Sequence, residues 1–228
     1  MSLKLTQFPQ SHLRLTSQAP TTALPATSLN SGLPSSRGAN SKAARDALFE
    51  QTYKVVDCTL GDLQEIIRLS YAQFESTCKT TRDKAELKKE IMNLFLPKFV
   101  FTPFLGHRVI GLRDKTQNNR LVGFVDVSMQ TQTLDALKPV PYLLRVATYG
   151  SNLRPYLCNL LVAPDYRRRG LGARLVKECI SVSKEWNQNE LYLHVKESTT
   201  PALKLYFKLG FEPVMPKEQY ATCLKKTF

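Results

Sequence analysis

Along the first half of the chain, apolar residues recur with two spacings, one typical of strands and one typical of helices. A β-rich run at residues 53–59 precedes a segment at 60–76 whose apolar positions return every three or four residues. These positions are Leu63, Ile66, Ile67 and Phe74. The helical spacing returns at 85–100, where we expect Pro97 to stop the helix because proline lacks the backbone N–H. The pattern predicts one strand followed by two helices.

Two further β-rich runs, at 107–115 and 120–130, stand on either side of the polar sequence TQNNR. Two such runs joined by a short polar segment predict a β-hairpin. The next segment, 131–153, is a long connection that contains the apolar stretch YLLRVATY. Connections of this length inside a domain are often functional, and an insertion packed on the surface is the equal alternative.

In the second half of the chain, the pattern predicts an apolar strand at 154–164, a helix at 167–186 and a further strand at 190–195. One apolar stripe runs along this helix, formed by Leu171, Leu175, Cys179, Val182 and Trp186. A stripe with this 3.6-residue period marks the side that faces a core.

The last predicted helix covers 200–211 and carries capping signals at both ends. Thr200 suits the N-cap, Pro201 suits the first helical position, and Gly210 suits the position beyond the end. The predicted order of elements is therefore β-α-α-β-β-β-α-β-α, which indicates a mixed α/β domain.

Composition and charge narrow the class of protein. The 228 residues are 43% hydrophobic, which suffices for a core, and no apolar run approaches the ~18 residues of a membrane span, so we expect no membrane partner. The net charge of +13 favours anionic partners such as a nucleotide cofactor or nucleic acid. Most aromatic residues lie in apolar periodic runs rather than between basic residues, which argues against a nucleic-acid-binding module.

The cysteines and histidines show no pattern of a disulfide framework or a metal site. The five cysteines form no CxxC motif and are odd in number, so we expect reduced thiols in an intracellular compartment. They are Cys58, Cys78, Cys158, Cys179 and Cys223. The three histidines, His12, His107 and His194, lack the spacing of metal ligands.

The N-terminal 1–41 segment is rich in Ser, Thr, Pro and Leu and contains no Asp or Glu, a composition typical of an organellar transit peptide. Its few arginines and many hydroxyl groups favour a plastid (the chloroplast stroma) over a mitochondrion. The alternative is a disordered segment without an address, in a cytoplasmic protein. We predict a transit or disordered segment at 1–45, cleavage between residues 36 and 50, and a folded domain at 53–228.

The sequence RRRGLG, residues 167–172, stands where an apolar strand passes into a helix. Unpaired N–H groups and the helix dipole at such a point bind phosphate. Gly170 and Gly172 let an anion approach the backbone closely, and the arginines add positive charge. Neither GxxxxGK[ST] nor GxGxxG is present, so this is not one of the two common nucleotide loops. On its own the motif predicts an anion-binding loop or a basic surface patch.

Two motifs together resemble the GCN5-related N-acetyltransferase (GNAT) superfamily. The first is Arg167-x-x-Gly170-x-Gly172 after LLVAPDY, and the second is the closing segment ALKLYFKLGF. The resemblance is strong over 155–214 and looser over 53–130, and the phrasing YLCNLLVAP resembles the plastid and cyanobacterial branch. It implies the GNAT fold, a mixed and mostly antiparallel central sheet flanked by helices, with acetyl-CoA as co-substrate and no metal.

By this resemblance, the loop N–H groups hold the pyrophosphate of CoA. The strand before the loop pairs with the pantetheine arm and donates an N–H to the acetyl carbonyl. The cofactor-binding residues implied in this way are Leu160, Leu161, Val162, Arg167, Arg168, Arg169, Gly170, Leu171, Gly172 and Thr199. Many relatives carry asparagine at the position of Thr199, so its alternative role is to cap the last helix.

Tyr206 matches the family's tyrosine that protonates the departing thiolate as a general acid, and the alternative is an aromatic residue of the core. His194 stands where some relatives carry an acidic residue and is a candidate base for the amine. The alternative for His194 is a strand histidine held by backbone partners. Asp126 is a second candidate base. We interpret Cys158 as a packing residue, because direct attack by the amine is the family's usual course.

The implied function is an acetyl-CoA-dependent N-acetyltransferase whose acceptor is a primary amine of a protein, either a lysine side chain or an N-terminus. A small amine, such as a polyamine or amino acid, is the alternative acceptor. A non-catalytic module that binds acyl-CoA or nucleic acid is the alternative class. We expect residues 62–95 and 131–153 to decide which acceptor is used.

Overall fold

The computed structural model describes residues 38–100, 106–130, 153–196, 199–214 and 222–228. The predicted transit segment lies outside them up to residue 37, as do residues 131–152 of the long connection. The chain divides into two compact units after Thr52. In the first unit, the described residues form the helix α1 (Gly38–Thr52), where the sequence pattern predicted no element.

The second unit begins at Tyr53, and its described residues build a seven-stranded sheet. The strands are β1 (Tyr53–Asp57), β2 (His107–Asp114), β3 (Arg120–Gln130), β4 (Arg154–Val162), β5 (Glu190–Val195), β6 (Glu212–Pro213) and β7 (Thr222–Thr227). They lie in the order β1-β2-β3-β4-β5-β7-β6, and every neighbouring pair is antiparallel except β4 with β5. The mixed, mostly antiparallel sheet is confirmed, while β6 and β7 come in addition to the predicted elements.

The helices that flank this sheet in the described part are α2 (Leu63–Phe74), α3 (Thr81–Val100), α4 (Leu171–Glu185) and α5 (Thr200–Lys208). Each corresponds to a predicted helix. The apolar stripe of α4 is buried, as the 3.6-residue spacing predicts; its buried apolar residues are Leu171, Leu175, Val176, Cys179 and Val182.

Successive side chains of β3 point to opposite faces of the sheet, and this alternation separates the helices into two layers. On one face, the ring of Phe124 packs edge-on against Phe95 of α3, with ring centroids 5.4 Å apart. On the other face, Gly123 lies against α4, since a Cβ at this glycine would stand 3.5 Å from Leu175 Cδ1. We refer to the two sides as the α3 face and the α4 face.

Pro97 lies inside α3 and does not stop the helix, so this prediction was wrong. Proline removes one backbone hydrogen bond, but its fixed φ is compatible with a helix. The turn around it is held by tertiary contacts: Phe95 is 1% exposed, and Lys98 forms an ion pair with Asp126 of β3. These contacts carry the helix on to Val100.

The predicted hairpin between β2 and β3 is confirmed. The two strands pair antiparallel from His107 with Ser128 to Asp114 with Arg120. Asn118 and Asn119 lie between the strands with φ of 51° and 56°. Asparagine tolerates this left-handed conformation better than most residues.

The C-terminal end of α5 lies where the sequence predicted it, whereas the N-cap differs from the prediction by one position. Gly210 follows the helix with φ of 78°, as predicted. At the start, Thr199 is the N-cap rather than Thr200, and its carbonyl accepts the N–H of Leu203 at 3.1 Å. The Thr199 side chain makes no capping hydrogen bond. Pro201 accordingly stands one position deeper in the first turn than predicted, where a backbone donor is still not needed.

Candidate active site

Strand β4 contains a β-bulge in its pairing with β3. Leu161 stands opposite Phe124, but Cys158 stands opposite Asp126, so β4 has one extra residue between these two positions. Asn159 lies in the bulge with φ of 50°. The bulge redirects the part of β4 that follows it.

Beyond the bulge, β4 and β5 no longer pair. In the described part, the two strands are joined only by Tyr156 with Tyr192 and Leu157 with Leu193. Residues 158–162 have a described strand partner on the β3 side alone, and Leu160, Leu161 and Val162 are half-buried there. This open edge, which we term the β4–β5 wedge, presents backbone N–H and C=O groups to which an extended ligand can add as a strand would.

The loop between β4 and α4 has a left-handed backbone at two positions. The φ angles are 64° at Arg168 and 82° at Gly170, which is the N-cap of α4. The Gly170 carbonyl accepts the N–H of Arg174 at 3.1 Å. A Cβ at Gly170 would meet no atom within 4 Å, so the space beside this backbone is open. The helix start therefore offers N–H groups without intrahelical partners and room for an anion.

Arg167 braces this loop against neighbouring elements. Its Nε donates to the carbonyl of Val162 at 3.0 Å, and its second guanidinium nitrogen donates to the Gln73 side chain of α2. The guanidinium is thus engaged in holding the end of β4, the loop and α2 together.

Arg169 also turns back onto the loop, whereas Arg168 does not. Arg169 donates to the carbonyl of Asp165 at 2.8 Å, and its guanidinium lies 5.1 Å from the ring centroid of Tyr166. The Arg168 side chain is exposed. Two of the three predicted anion-binding arginines therefore organise the loop, and the third is presented to solvent.

The remaining predicted cofactor residues lie at helix starts. Leu171, the first residue of α4, is 1% exposed and belongs to the core. Gly172 lies against α5, because an added Cβ would stand 3.3 Å from Leu205 Cδ2. The missing side chain at Gly172 thus allows the two helices to approach closely. Thr199 is exposed at the N-cap of α5.

Tyr206 lies on the buried side of α5. It is 6% exposed, and its ring packs edge-on against Phe211 with centroids 5.6 Å apart. Burial raises the pKa of the Tyr206 phenol, and negative charge on Cys179 or Cys158 raises it further. The phenol therefore stays protonated at physiological pH. Its electrostatic interaction with Cys158 indicates that it lies near the bulged part of β4.

His194 lies on β5 in a stack of aromatic rings. Its ring is 5.6 Å from that of Tyr156, with the two planes 7° apart, and Tyr156 also stacks on Tyr192 at 5.5 Å. Tyr156 stands opposite Ser128 of β3, and directly opposed residues share a face, so this stack lies on the α3 face. His194 is half-buried there.

Asp126 has no exposed side-chain surface, and its Oδ2 accepts hydrogen bonds from Lys98 and from Asn159 Nδ2, the latter at 2.8 Å. Burial by itself raises the pKa of Asp126. The charges of Lys98 and then His107, with the hydrogen bonds from Lys98 and Asn159, outweigh burial and hold this pKa below its ordinary value. The carboxylate is therefore ionised and already satisfied on one oxygen.

Lys98 and Asn159 were not among the residues singled out by sequence reasoning. Each is a polar residue within an otherwise apolar run, LFLPKFV for Lys98 and LCNLLVA for Asn159. An isolated polar residue in such a run needs a partner when it is buried, and this was the available signal.

The described cysteines form no disulfide with one another, and Cys158 Sγ accepts a weak hydrogen bond from Gln130 Nε2 at 3.8 Å. Within the residues that the structure describes, no three His, Cys, Asp or Glu side chains come together as a metal-binding group. Among these same residues, no helix combines the length and the apolar character needed to cross a membrane.

The fold and this site together define an α/β domain whose central sheet is split beside a bulged strand and a helix start with open space next to its backbone. Residues 67–211 match the model of the acetyltransferase (GNAT) family. The chain therefore belongs to this family, in agreement with the resemblance of its two motifs.

Among curated proteins, the chain is similar to an N-alpha-acetyltransferase of Sulfurisphaera tokodaii, with 34% identity over 85 residues that cover 37% of this chain and 46% of that protein. It is also similar to GCN5-related N-acetyltransferase 7, chloroplastic, of Arabidopsis thaliana, with 39% identity over 59 residues that cover 26% of this chain and 22% of that protein. The chain thus spans less than half the length of these two curated relatives.

Among solved structures, the chain is similar to the PaiA N-acetyltransferase of Thermoplasma acidophilum in complex with coenzyme A. The TM-score is 0.55 at 14% identity, and the superposition covers 78% of this chain and 99% of that one. At this identity the likeness shows the fold alone.

Proposed function

We propose that this chain is an acetyl-CoA-dependent N-acetyltransferase that acetylates primary amines of proteins. The observation that carries the proposal is the β4–β5 wedge, whose open strand edge leads directly into the helix start at Gly170. Acetyl-CoA joins an amide-containing arm to a pyrophosphate. An open edge next to an anion-binding helix start suits both parts of one such ligand.

In this proposal, different groups of the wedge bind the two parts of acetyl-CoA. The backbone of Leu160, Leu161 and Val162 pairs with the arm, and the N–H groups of residues 167–172 bind the pyrophosphate. Arg167 and Arg169 contribute by bracing the loop, because their guanidinium groups already donate to protein oxygens. Arg168 is the exposed cation that supplements the backbone.

Acetyl-CoA supplies an acetyl thioester, which a neutral amine attacks directly while a thiolate leaves. Tyr206 is the proposed proton donor to that thiolate. The raised pKa keeps its phenol protonated but also makes it a weak acid, since thiols have pKa values near 8.5. The proton therefore moves as charge develops on the sulfur. Backbone N–H groups near the bulge stabilise the negative charge on the carbonyl oxygen.

The attacking amine must first lose a proton, because lysine amines have pKa values near 10.4. The proposal gives the base role to His194, whose half-buried ring lies on the α3 face next to the strands that form the wedge. Asp126 is less suited, because it is fully buried and its lowered pKa makes it a weak proton acceptor.

Protein acceptors are supported by the relatives. The archaeal relative is named an N-alpha-acetyltransferase, which supports the α-amine of an N-terminus as an acceptor. A lysine ε-amine is a primary amine as well and requires the same direct attack. We therefore propose both amines as acceptors.

The proposed location is the plastid. It is supported by the composition of residues 1–41, which lack acidic residues, and by the chloroplastic relative from Arabidopsis. A fluorescent fusion of the full chain in plant protoplasts should enter plastids and become shorter, whereas the fusion without residues 1–45 should remain in the cytosol. A full-length fusion that stays in the cytosol would contradict the location.

The function is tested by incubating the full-length protein with acetyl-CoA, peptides that carry free N-termini and internal lysines, and spermidine. Mass spectrometry then locates each acetyl group. Acetylated peptides, formed much more slowly by Tyr206→Phe under the same conditions, would support the proposal and separate α-amines from ε-amines. Acetylation of spermidine alone would show that the acceptor is a small amine and not a protein. No product together with no acetyl-CoA binding would contradict the proposal that this chain is an acetyltransferase.

A further inference from the structure

A charged cluster links helix α3 to the bulge of β4. Lys98, in the last turn of α3, donates to Asp126 Oδ2, and the same oxygen accepts a hydrogen bond from Asn159 Nδ2 at 2.8 Å. The Asp126 side chain has no exposed surface, and that of Lys98 is 21% exposed. We refer to Lys98, Asp126 and Asn159 as the clamp.

The clamp is a costly way to stabilise a fold. A carboxylate and an ammonium group lose hydration free energy when they are buried, and their mutual attraction offsets this loss only in part. Replacing such a pair by apolar side chains therefore often leaves the free energy of unfolding unchanged or increases it. In addition, Asp126 Oδ1 accepts no hydrogen bond from any described residue, which adds a desolvation penalty. Stability alone therefore does not account for these three residues.

The position of the clamp indicates what it does. Asn159 is the left-handed residue of the bulge, and its side chain is bonded across to β3 at Asp126. Leu160, Leu161 and Val162 follow at once, and their backbone edge forms the wedge. A rotation of the bulge would change the direction of each N–H and C=O group along that edge.

The other end of the clamp is anchored in the core. The Lys98 ammonium lies 5.2 Å from the ring centroid of Phe95, which is 1% exposed. Phe95 in turn packs against Phe124, two residues before Asp126 on β3. The hydrogen bond to Asn159 thus holds the bulge against a rigid part of the molecule.

We propose that Lys98, Asp126 and Asn159 are positioning residues that set the direction of the β4 edge along which acetyl-CoA binds. They act through the strand and do not touch the substrate. The consequence for acetyl-CoA rests on the proposed function, whereas the effect on the β4 backbone does not.

Two variants separate positioning from stability. The double variant Lys98→Met/Asp126→Val replaces the buried charges by apolar side chains, and Asn159→Gly keeps the left-handed backbone accessible while removing the side-chain hydrogen bond. Both should melt near the wild-type temperature but bind acetyl-CoA roughly tenfold more weakly in calorimetry, because a redirected strand edge makes poorer hydrogen bonds to the ligand. Backbone amides of residues 160–162 should exchange hydrogen for deuterium faster in both variants.

Arg113→Met is the matched control, because it also breaks ion pairs, in this case those from β2 to Asp62 and Glu65 at the start of α2. Arg113 lies near the end of β2, whereas Asp126 stands opposite Val109 near its start. It should lower the melting temperature and leave acetyl-CoA affinity and the exchange of residues 160–162 unchanged.

If the double variant binds acetyl-CoA with wild-type affinity, the proposal is overturned. If the double variant does not fold, wild-type affinity in Asn159→Gly overturns it instead. A wild-type protein that does not bind acetyl-CoA would instead overturn the proposed function. In that event, unchanged exchange at residues 160–162 in Asn159→Gly would overturn the clamp, and faster exchange would support it.

Discussion

The β2–β3 hairpin and the β4–β5 junction belong to the same sheet but are built in opposite ways. Eight residue pairs join β2 to β3, whereas two join β4 to β5 in the described part. At the hairpin, Arg113 pairs with Asp62 and Glu65, and Glu65 also accepts the N–H of Leu121 at 2.9 Å. These polar groups form ion pairs and hydrogen bonds with one another.

At the junction, by contrast, the β4 backbone beyond Leu157 has no described partner on β5. The bulge at Asn159 and the helix start at Gly170 both hold left-handed residues, and the strand edge between them is open. Under the proposed function, the hairpin of this sheet serves the stability of the fold, and the junction serves ligand binding. Substitutions in the hairpin should change the melting temperature, and substitutions around the junction should change affinity and turnover.

Gly170→Asp should have the largest effect. Like charges about 4 Å apart oppose each other by about 4 kcal/mol at an effective dielectric of 20. A non-glycine residue at φ of 82° also destabilises the fold by about 1 kcal/mol, but this strain is present with and without the ligand. Acetyl-CoA affinity measured by calorimetry should therefore fall by roughly 100-fold or more.

Gly210→Asp is the control for backbone strain. Gly210 has φ of 78°, but a Cβ there would stand 2.9 Å from Lys226 Nζ and not in the anion-binding loop. It should destabilise the fold to a similar extent while binding acetyl-CoA normally. Equal losses of affinity in both variants would show that strain, and not charge at the loop, is responsible.

Tyr206→Phe should have the next largest effect, now on turnover. Phenylalanine keeps the packing against Phe211, so the melting temperature and acetyl-CoA affinity should stay near the wild-type values. Loss of the proton donor should lower kcat by roughly 100-fold in steady-state assays. Unaltered turnover in Tyr206→Phe would remove Tyr206 from the acid role.

His194→Gln should reduce activity less and change its pH dependence. A base acts when deprotonated, so any acidic limb of the wild-type kcat/KM profile that depends on this base should vanish in the variant, with about a tenfold loss of activity at pH 8. The limb due to the amine acceptor itself should remain in both proteins. Superimposable profiles would exclude His194 as the base.

The alkaline side of the same pH profile tests Tyr206. An acid acts when protonated, and burial raises the pKa of Tyr206 above the ordinary value near 10, so its contribution is lost only above that pH. The wild-type kcat should therefore show no alkaline decline below about pH 10. A decline near pH 8 that disappears in Tyr206→Phe would contradict the raised pKa.

Arg113→Met should have the smallest effect on activity and the clearest effect on stability. It removes the guanidinium partner of Asp62 and one of the two guanidinium partners of Glu65, in a site where the Arg113 side chain is 15% exposed. We expect a loss of about 2 kcal/mol and a melting temperature lower by about 5 °C, with kcat unchanged. A lower kcat with an unchanged melting temperature would contradict the assignment of stability to the hairpin and of activity to the junction.

Local features of the fold could be predicted from the sequence. The hairpin turn, the helix stripes and the end of α5 at Gly210 depend on residues close together in the chain, and the structure confirms them. The family follows from two short motifs for the same reason. Pro97 was misjudged because distant contacts of Phe95 and Lys98 continue the helix through it.

The wedge could not be predicted from spacing. The apolar run at 154–164 predicts a strand, but periodicity does not reveal that one extra residue at Asn159 ends its pairing with β5. That geometry depends on register with β3 and on the partner of a single buried carboxylate, Asp126. Likewise, three consecutive arginines look alike in sequence and all three are exposed, yet Arg167 and Arg169 donate to backbone carbonyls of Val162 and Asp165.

The open edge of β4 leaves the sheet incomplete until a ligand lies along it. Under the proposed function, a metabolite takes the place of a missing strand, and mass action couples the lifetime of the folded chain to the cell's supply of that metabolite. At a hundred times its dissociation constant, such a ligand adds about 2.7 kcal/mol to the free energy of unfolding. Under the same proposal, the folded chain becomes easier to unfold when acetyl-CoA is scarce.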